Sequence, residues 1–403
     1  MNLLHITASL DPKLGGVSQA LKTMIKGLKS FENVKNEVLT FDESDASFID
    51  QNFVTTNALG AGKGPWFYNA DYYNWLIIHL QSFDVIILHG LWNYQGYGLV
   101  KALKFLKRKD TSFSTRFFVM PHGMLDPYFQ KAEGRKLKAI RNWFYWKLIE
   151  KNVINLADGL LFTCEAELQL AKQTFSPYLP KKELVVGLGV DQPPAPTPTM
   201  NEIFLSKCSG LEQASYLLFI SRIHEKKGVD LLINAYESFL ETKPAFGKGA
   251  QNLDASFINL KFNSKLIVAG PGLETSYGQK IKLTASKLKQ AENKIFFPGM
   301  LTGDAKWGAF YGCEAFILPS HQENFGIAVV EALACGKPVL ISNQVNIHTE
   351  ISSCKAGFVA NDTTVGTEEL LTKWKNLSEN EKIEMGKNAR KCYEKYFAVK
   401  PAA

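Results

Sequence analysis

Short apolar runs recur along this chain, and nearly every one ends in glycine, proline, histidine or serine. Leu3-Leu4-His5-Ile6 leads through Thr7 and Ser9 to Gly15-Gly16, then to a helical pattern through Leu21, Ile25 and Leu28. Val85 to Leu88 ends at His89-Gly90, Arg116 to Met120 at Pro121-His122-Gly123, and Gly159 to Phe162 just before Thr163 and Glu165. A second series follows. Tyr216 to Ile220 precedes Ser221-Arg222 and Lys226-Lys227-Gly228, and Lys265 to Ala269 precedes Gly270-Pro271-Gly272. Lys294 to Phe297, Ala315 to Leu318 and Val339 to Ile341 then lead into Pro298-Gly299, Pro319-Ser320 and Ser342-Asn343. Buried strands alternating with helical stretches predict parallel sheets covered on both faces. The expected fold is α/β, with two doubly wound Rossmann-like domains facing each other across a cleft.

The boundaries follow from composition. Residues 1–190 form the first predicted domain. Residues 191–213 are the interdomain linker, because PPAPTPT at Pro193 to Thr199 would make a semi-rigid spacer. Residues 214–392 form the second domain and 393–403 a tail. The 403 residues suit two domains. Gly247 to Asn263 reads as a surface insertion.

Composition narrows the class. A net charge of +7 is too weak to argue for nucleic acid but suits anionic substrates or an acidic membrane surface. Six cysteines without a CxxC pair predict reduced cytosolic thiols. No segment reads as a signal peptide, and none approaches the roughly 20 apolar residues of a membrane span. A cytoplasmic protein is expected, with any membrane contact peripheral, at the inner face of the cell membrane. The chain contains no GxGxxG after its first strand, no P-loop, no GxSxG, no DxD and no HExxH. No cofactor or metal is expected; cationic side chains and helix dipoles would supply charge stabilisation.

The most informative segment is Pro319 to Pro338, PSHQENFGIAVVEALACGKP. Glu323 is predicted in a loop, Asn324-Phe325-Gly326 as a turn, and a helix from Ile327. The free N–H groups of that first turn form an anion site, with Glu331 about 6 Å further along the helix. Arg222 and Lys227, straight after a strand, supply a two-oxygen fork and a point charge suited to a diphosphate, or else a solvated basic loop. Gly15-Gly16-Val17 permits a close backbone approach to phosphate or makes an ordinary tight turn. His89 and His122 fall at strand ends, where ligands of such sheets bind.

Arg135 to Asn152, RKLKAIRNWFYWKLIEKN, carries an apolar stripe of Leu137, Ile140, Phe144 and Leu148. Two readings stand: an amphipathic helix packed on the sheet by that stripe, and a helix whose basic-aromatic face touches anionic lipid.

Together these motifs resemble the retaining glycosyltransferases of the GT4 group, which have the GT-B fold. SRIHEKKGVDLL, KLIVAGPG, FPGMLTGD, the Glu-x7-Glu block and Gly357 fall in family order, with Gly15-Gly16 and PHG matching in the first half. LHGLW and MPHGMLDP are similar to members involved in bacterial exopolysaccharide assembly. The resemblance implies that Arg222 and Lys227 hold a nucleotide diphosphate and that Gly16 places an amide near the distal phosphate. It implies Glu331 on the ribose, Met300 at the base pocket and Glu323 on the donor sugar. The amides of Phe325, Gly326 and Ile327 would lie near sugar and phosphate, and His122 beside the sugar. Asn324 stands where a small residue is usual. The family usually ends in a helix crossing back onto the first domain, whereas this chain ends Tyr396-Phe397-AVKPAA, so a shortened helix or a different coupling is expected.

The implied activity is transfer of a hexose, glucose first, from a UDP-sugar to a saccharide or lipid-linked saccharide acceptor in envelope or extracellular polysaccharide synthesis. The alternatives are a UDP-sugar 2-epimerase of the same fold and a non-catalytic nucleotide-sugar-binding protein.

Overall fold

The structure is a computed structural model that describes residues 1–14, 16–132, 136–212, 214–241, 264–288 and 294–399. Gly15, Arg135 and the insertion at 247–263 lie outside the described residues. The chain divides into two compact units, Met1–Asp191 joined by the segment from Phe397, and Gln192–Tyr396.

The strands of the first unit are β1 (Asn2–Ile6), β2 (Lys35–Thr40), β3 (Thr55–Ala58), β4 (Val85–His89), β5 (Arg116–Met120), β6 (Gly159–Phe162) and β7 (Glu183–Val185). They form one sheet in the order β3-β2-β1-β4-β5-β6-β7, with every pairing parallel. All residues of β4 and β6 are buried, as helices on both faces require. Leu4, Ile6, Ile86, Leu88, Val119 and Phe162 anchor the core.

The second unit contains β8 (Tyr216–Ile220), β9 (Lys265–Ala269), β10 (Ile295–Gly299), β11 (Ala315–Leu318), β12 (Val339–Ser342) and β13 (Gly357–Ala360). Their order is β10-β9-β8-β11-β12-β13, again parallel throughout. In both sheets the winding direction reverses beside the first strand, between β1 and β4 and between β8 and β11. Those reversals open a crevice at the carboxyl ends of the strands, where such sheets take ligands.

Three expectations need correction. The segment predicted as a spacer is not one. Thr197 caps a helix over Pro198–Ser206 by accepting the Met200 N–H, and Pro198 occupies the first helical turn, where a missing N–H costs nothing. Met200 and Phe204 are buried against the helix Gly303–Gly312, whose Gly308 lies so close that an added Cβ would stand 2.0 Å from the Met200 carbonyl. Residues 192–212 are therefore part of the second unit.

The tail is also structured. The helix Glu379–Cys392, opened by a Ser378/Glu381 capping box, runs into a π turn over Tyr393–Phe397. The Val190 N–H then donates to the Phe397 carbonyl at 2.8 Å, so the chain rejoins the first unit at Phe397.

The third correction is the helix over 136–156. The stripe Leu137, Ile140, Phe144 and Leu148 does not pack; Leu137 is 84% and Leu148 72% exposed. Asn142, Trp146, Glu150 and Val153 are buried instead. The buried positions recur every three to four residues down another side of the helix, through a π turn at Trp146–Glu150, and leave the apolar stripe to solvent.

Gly228 fixes the crevice of the second unit. It sits in the left-handed region at φ +64°, and a Cβ would stand 2.1 Å from the Pro319 carbonyl. Gly210, at φ +84°, faces open space. Gly210→Ala should therefore cost only backbone strain, about 1 kcal/mol. Gly228→Ala adds a backbone collision and should lower the thermal midpoint several degrees further. Equal midpoints for the two variants would show that the close approach carries nothing.

Candidate active site

The site of the second unit grows from the β8/β11 neighbourhood. After β8 the chain makes a single 3-10 turn over Glu225–Lys227, closed by left-handed Gly228. After β11, Ser320 Oγ donates to the Lys226 carbonyl at 2.9 Å, and the His321 N–H donates to that same carbonyl at 2.9 Å. The two loops are stitched together, and Lys227 Nζ meets Glu323 Oε2 in a direct ion pair. Lys227 is buried and Glu323 largely so.

Backbone bonds hold Glu323 rather than its side chain alone. Its N–H donates to the Gln344 carbonyl at 2.9 Å, and its carbonyl accepts the Asn346 N–H at 3.0 Å. Burial would push its carboxyl up, but Lys227 foremost, with Lys226 and Arg222, outweighs burial and holds it below the ordinary value. Arg222 itself is exposed. The expected trio of Arg222, Lys227 and Glu323 thus comes together, and Lys226 joins it.

Gly326, at φ +77°, turns the chain into the helix Ile327–Ala334. Its carbonyl accepts the Val329 and Val330 N–H groups at 2.8 and 3.1 Å. The amides of Gly326, Ile327 and Ala328 precede the first intrahelical donor, the Val329 N–H, which leaves them as donors for an anion. Phe325 is buried beneath this turn, and Asn324 Oδ1 accepts from Asn346 Nδ2 at 3.4 Å. Met300, after left-handed Gly299, is 68% exposed at the end of β10.

Glu331 lies on the same helix in a different electrostatic setting. It pairs with Lys306 Nζ at 2.5 Å, and Lys306 also lies 4.6 Å over the Trp307 ring. Burial pushes its carboxyl up more than Lys306 pulls it down, so the balance is opposite to that of Glu323. Sequence reasoning missed Lys306, because it arrives from another helix and no motif marks it. Asn346, which positions Glu323 and Asn324 from the far side of β12, was equally unmarked.

The first unit carries the remaining candidates. Gly16 is the first residue of the helix Gly16–Leu28. The Asp42 carboxylate steadies the loop before it, accepting from the Leu10 N–H at 2.8 Å and from Thr40 Oγ1 at 2.6 Å. His122 and Gly123 are both left-handed, at φ +52° and +78°. Buried Glu167 fixes their turn by accepting the Gly123 N–H at 2.5 Å and the Thr163 N–H at 2.7 Å. His89 Nδ1 lies 3.0 Å from His122 Nε2. Among the described residues, no group of three or more His, Cys, Asp or Glu side chains is arranged to hold a metal ion. No described helix is long and apolar enough to cross a membrane.

Two parallel α/β units with glycine-turned strand ends define the class: the architecture is GT-B, the fold of many sugar-nucleotide enzymes. Solved structures agree over the whole chain. A glycosyltransferase from Rickettsia africae superposes with a TM-score of 0.73 at 14% identity, covering 100% of this chain and 95% of that one. Anabaena Alr3699/HepE in complex with UDP and glucose gives 0.69 at 17% identity, covering 99% and 96%. Residues 205–392 match the family "Glycosyl transferases group 1". A D-inositol 3-phosphate glycosyltransferase of Acidothermus cellulolyticus is 28% identical over 144 residues, 36% of this chain and 29% of that relative. The chain spans less than half the length of the curated relatives it matches.

The opposed settings of the two glutamates give opposite stability signs. Glu323, held below its ordinary 4.5, stabilises the fold above that pH and loses its contribution only as pH falls through the lower folded value. Glu331, raised above 4.5, costs stability once ionised. At pH 7, Glu323→Gln should destabilise the fold by on the order of 2 kcal/mol and lower the thermal midpoint, because it strands Lys227. Glu331→Gln should leave the midpoint unchanged or raise it. Thermal unfolding of both variants checks the contrast; the reverse order would refute it.

Proposed function

We propose that this chain is a retaining glycosyltransferase that moves a hexose from a UDP-sugar to a saccharide or lipid-linked saccharide acceptor. The observation that carries the proposal is the Lys227–Glu323 ion pair set beside the open amides at Gly326 to Ala328. A cation, a carboxylate and a helix N-terminus within one loop cluster can hold a phosphate and a sugar side by side. UDP and glucose are the first choice of donor because HepE, of the same fold, is described in complex with both.

In this reading Arg222 and Lys227 bind the diphosphate, and the Gly16 amide approaches the distal phosphate. The amides of Phe325, Gly326 and Ile327 line the sugar and phosphate, and Glu323 accepts hydrogen bonds from sugar hydroxyls. Asn324 lies next to that sugar. Glu331 takes the ribose hydroxyls, with Lys306 keeping its carboxylate oriented, and Met300 covers the base. His122 lies beside the donor sugar.

The bond from the anomeric carbon to the distal phosphate oxygen breaks with its electron pair going to phosphate. The acceptor hydroxyl oxygen bonds the anomeric carbon from the same face, and its proton passes to the departing phosphate. Arg222, Lys227 and the helix N-terminus stabilise the growing negative charge, an effect worth several kcal/mol. No metal or cofactor enters this scheme.

Binding and turnover across UDP-, GDP- and ADP-sugars tests the donor. Lys227→Ala should lose at least about a hundredfold in kcat/KM, ~2.7 kcal/mol, and Glu323→Gln should lose turnover. A sugar released as its 2-epimer, donor binding without transfer or hydrolysis, or unchanged turnover in Glu323→Gln would each overturn part of this assignment.

The exposed helix supports a peripheral site of work at the inner face of the cell membrane. Leu137, Ile140, Trp143, Phe144 and Leu148 are exposed, with Lys136, Lys138, Arg141 and Lys147 among them. An apolar strip flanked by cations suits the boundary of an anionic bilayer. Vesicles containing phosphatidylglycerol should bind the protein and neutral vesicles much less. Leu137→Glu with Phe144→Glu should abolish binding; unaltered binding means this helix does not face lipid.

A further inference from the structure

The sheet reversal of the first unit brings three histidines into one line. His5 on β1 places Nδ1 3.0 Å from His89 Nε2 at the end of β4, with ring centroids 5.3 Å apart. His89 Nδ1 in turn lies 3.0 Å from His122 Nε2, also at 5.3 Å between centroids. At the other end His5 Nε2 lies 3.1 Å from Asn36 Oδ1 on β2. His5 and His89 are buried and His122 half-buried.

A neutral imidazole has one N–H and one lone pair, so each ring in such a series must donate at one nitrogen and accept at the other. Burial keeps all three rings neutral at pH 7. It brings His5 and His122 down to about 4, and with help from its two neighbours it holds His89 well below the ordinary value. Only two proton arrangements then satisfy every bond, and the end of the series decides between them. A carbonyl oxygen can only accept, so His5 carries its proton on Nε2. His89 and then His122 must follow.

We propose that Asn36, His5 and His89 are positioning residues that fix His122 as its Nε2–H tautomer, leaving Nδ1 as a bare hydrogen-bond acceptor. His122 is then neither a cation for phosphate nor a donor to it. It recognises a hydroxyl, of the donor sugar or of the acceptor, by accepting that hydroxyl's proton in a hydrogen bond. Only this last consequence rests on the transfer site proposed above; the tautomer itself does not.

The test is long-range proton–nitrogen correlation on the full chain with 15N-labelled histidine at pH 7. His5, His89 and His122 should all show the Nε2–H pattern. In Asn36→Leu the oxygen is gone, and the His122 nitrogen shifts should move towards the average of two tautomers. The same variant should lose about five- to tenfold in kcat, the worth of one neutral hydrogen bond, with the donor KM within about twofold. An Nδ1–H pattern at His122 of the unaltered protein, or an unchanged Nε2–H pattern in Asn36→Leu, overturns the proposal. The spectrum of the unaltered protein decides even if the variant fails to fold. It also decides if no sugar nucleotide is turned over, in which case the transfer reading fails and the tautomer stands.

Discussion

Everything in the second unit depends on one backbone contact, Gly228 against the Pro319 carbonyl. Without it the loops after β8 and β11 would stand apart, and the carbonyl of Lys226 could not accept from both Ser320 and His321. With it, a buried lysine meets a carboxylate that arrives 96 residues later in the chain. The pair then stands at the mouth of the helix starting at Ile327. A steric constraint on one glycine is thereby converted into an electrostatic arrangement.

The two glutamates eight positions apart illustrate how environment divides the labour of like residues. Glu323 sits among Lys227, Lys226 and Arg222, which together outweigh the cost of burying its anion. Glu331, deeper on its helix, has Lys306 alone and is pushed towards the neutral acid by burial. The first unit follows the same logic with uncharged groups. Its reversal point is lined by imidazoles kept neutral by burial, and by carboxylates that hold backbone amides: Glu167 at the turn of His122 and Asp42 at the loop before Gly16.

Much of this was legible in the sequence, for identifiable reasons. Strands buried on both faces read as unbroken apolar runs, so β4, β8, β11 and β12 and the turns that follow them were visible without coordinates. Arg222, Lys227, Glu323 and the turn at Gly326 were visible because each lies within a few residues of a strand end. Lys306 and Asn346 were not, since their roles arise from contacts between separate elements. The helix over 136–156 was misread because its apolar stripe stays exposed while the side carrying Asn142, Trp146 and Glu150 is buried, the reverse of what hydrophobic periodicity predicts. The spacer was misread because proline enrichment signals a linker and a helix start equally well; the buried Phe204 decides between them.

The burial of the Lys227–Glu323 pair also governs how the site answers to salt. Mobile ions screen exposed charges over about 10 Å at 0.1 M ionic strength but scarcely reach a pair from which water is excluded. Lys227 is enclosed whereas Arg222 is open to solvent. Raising ionic strength therefore weakens the field of Arg222 and leaves the Lys227–Glu323 pair nearly untouched. Under the transfer reading proposed above, capture from solution and retention in the site belong to different side chains, and they respond separately to the ionic composition around the protein.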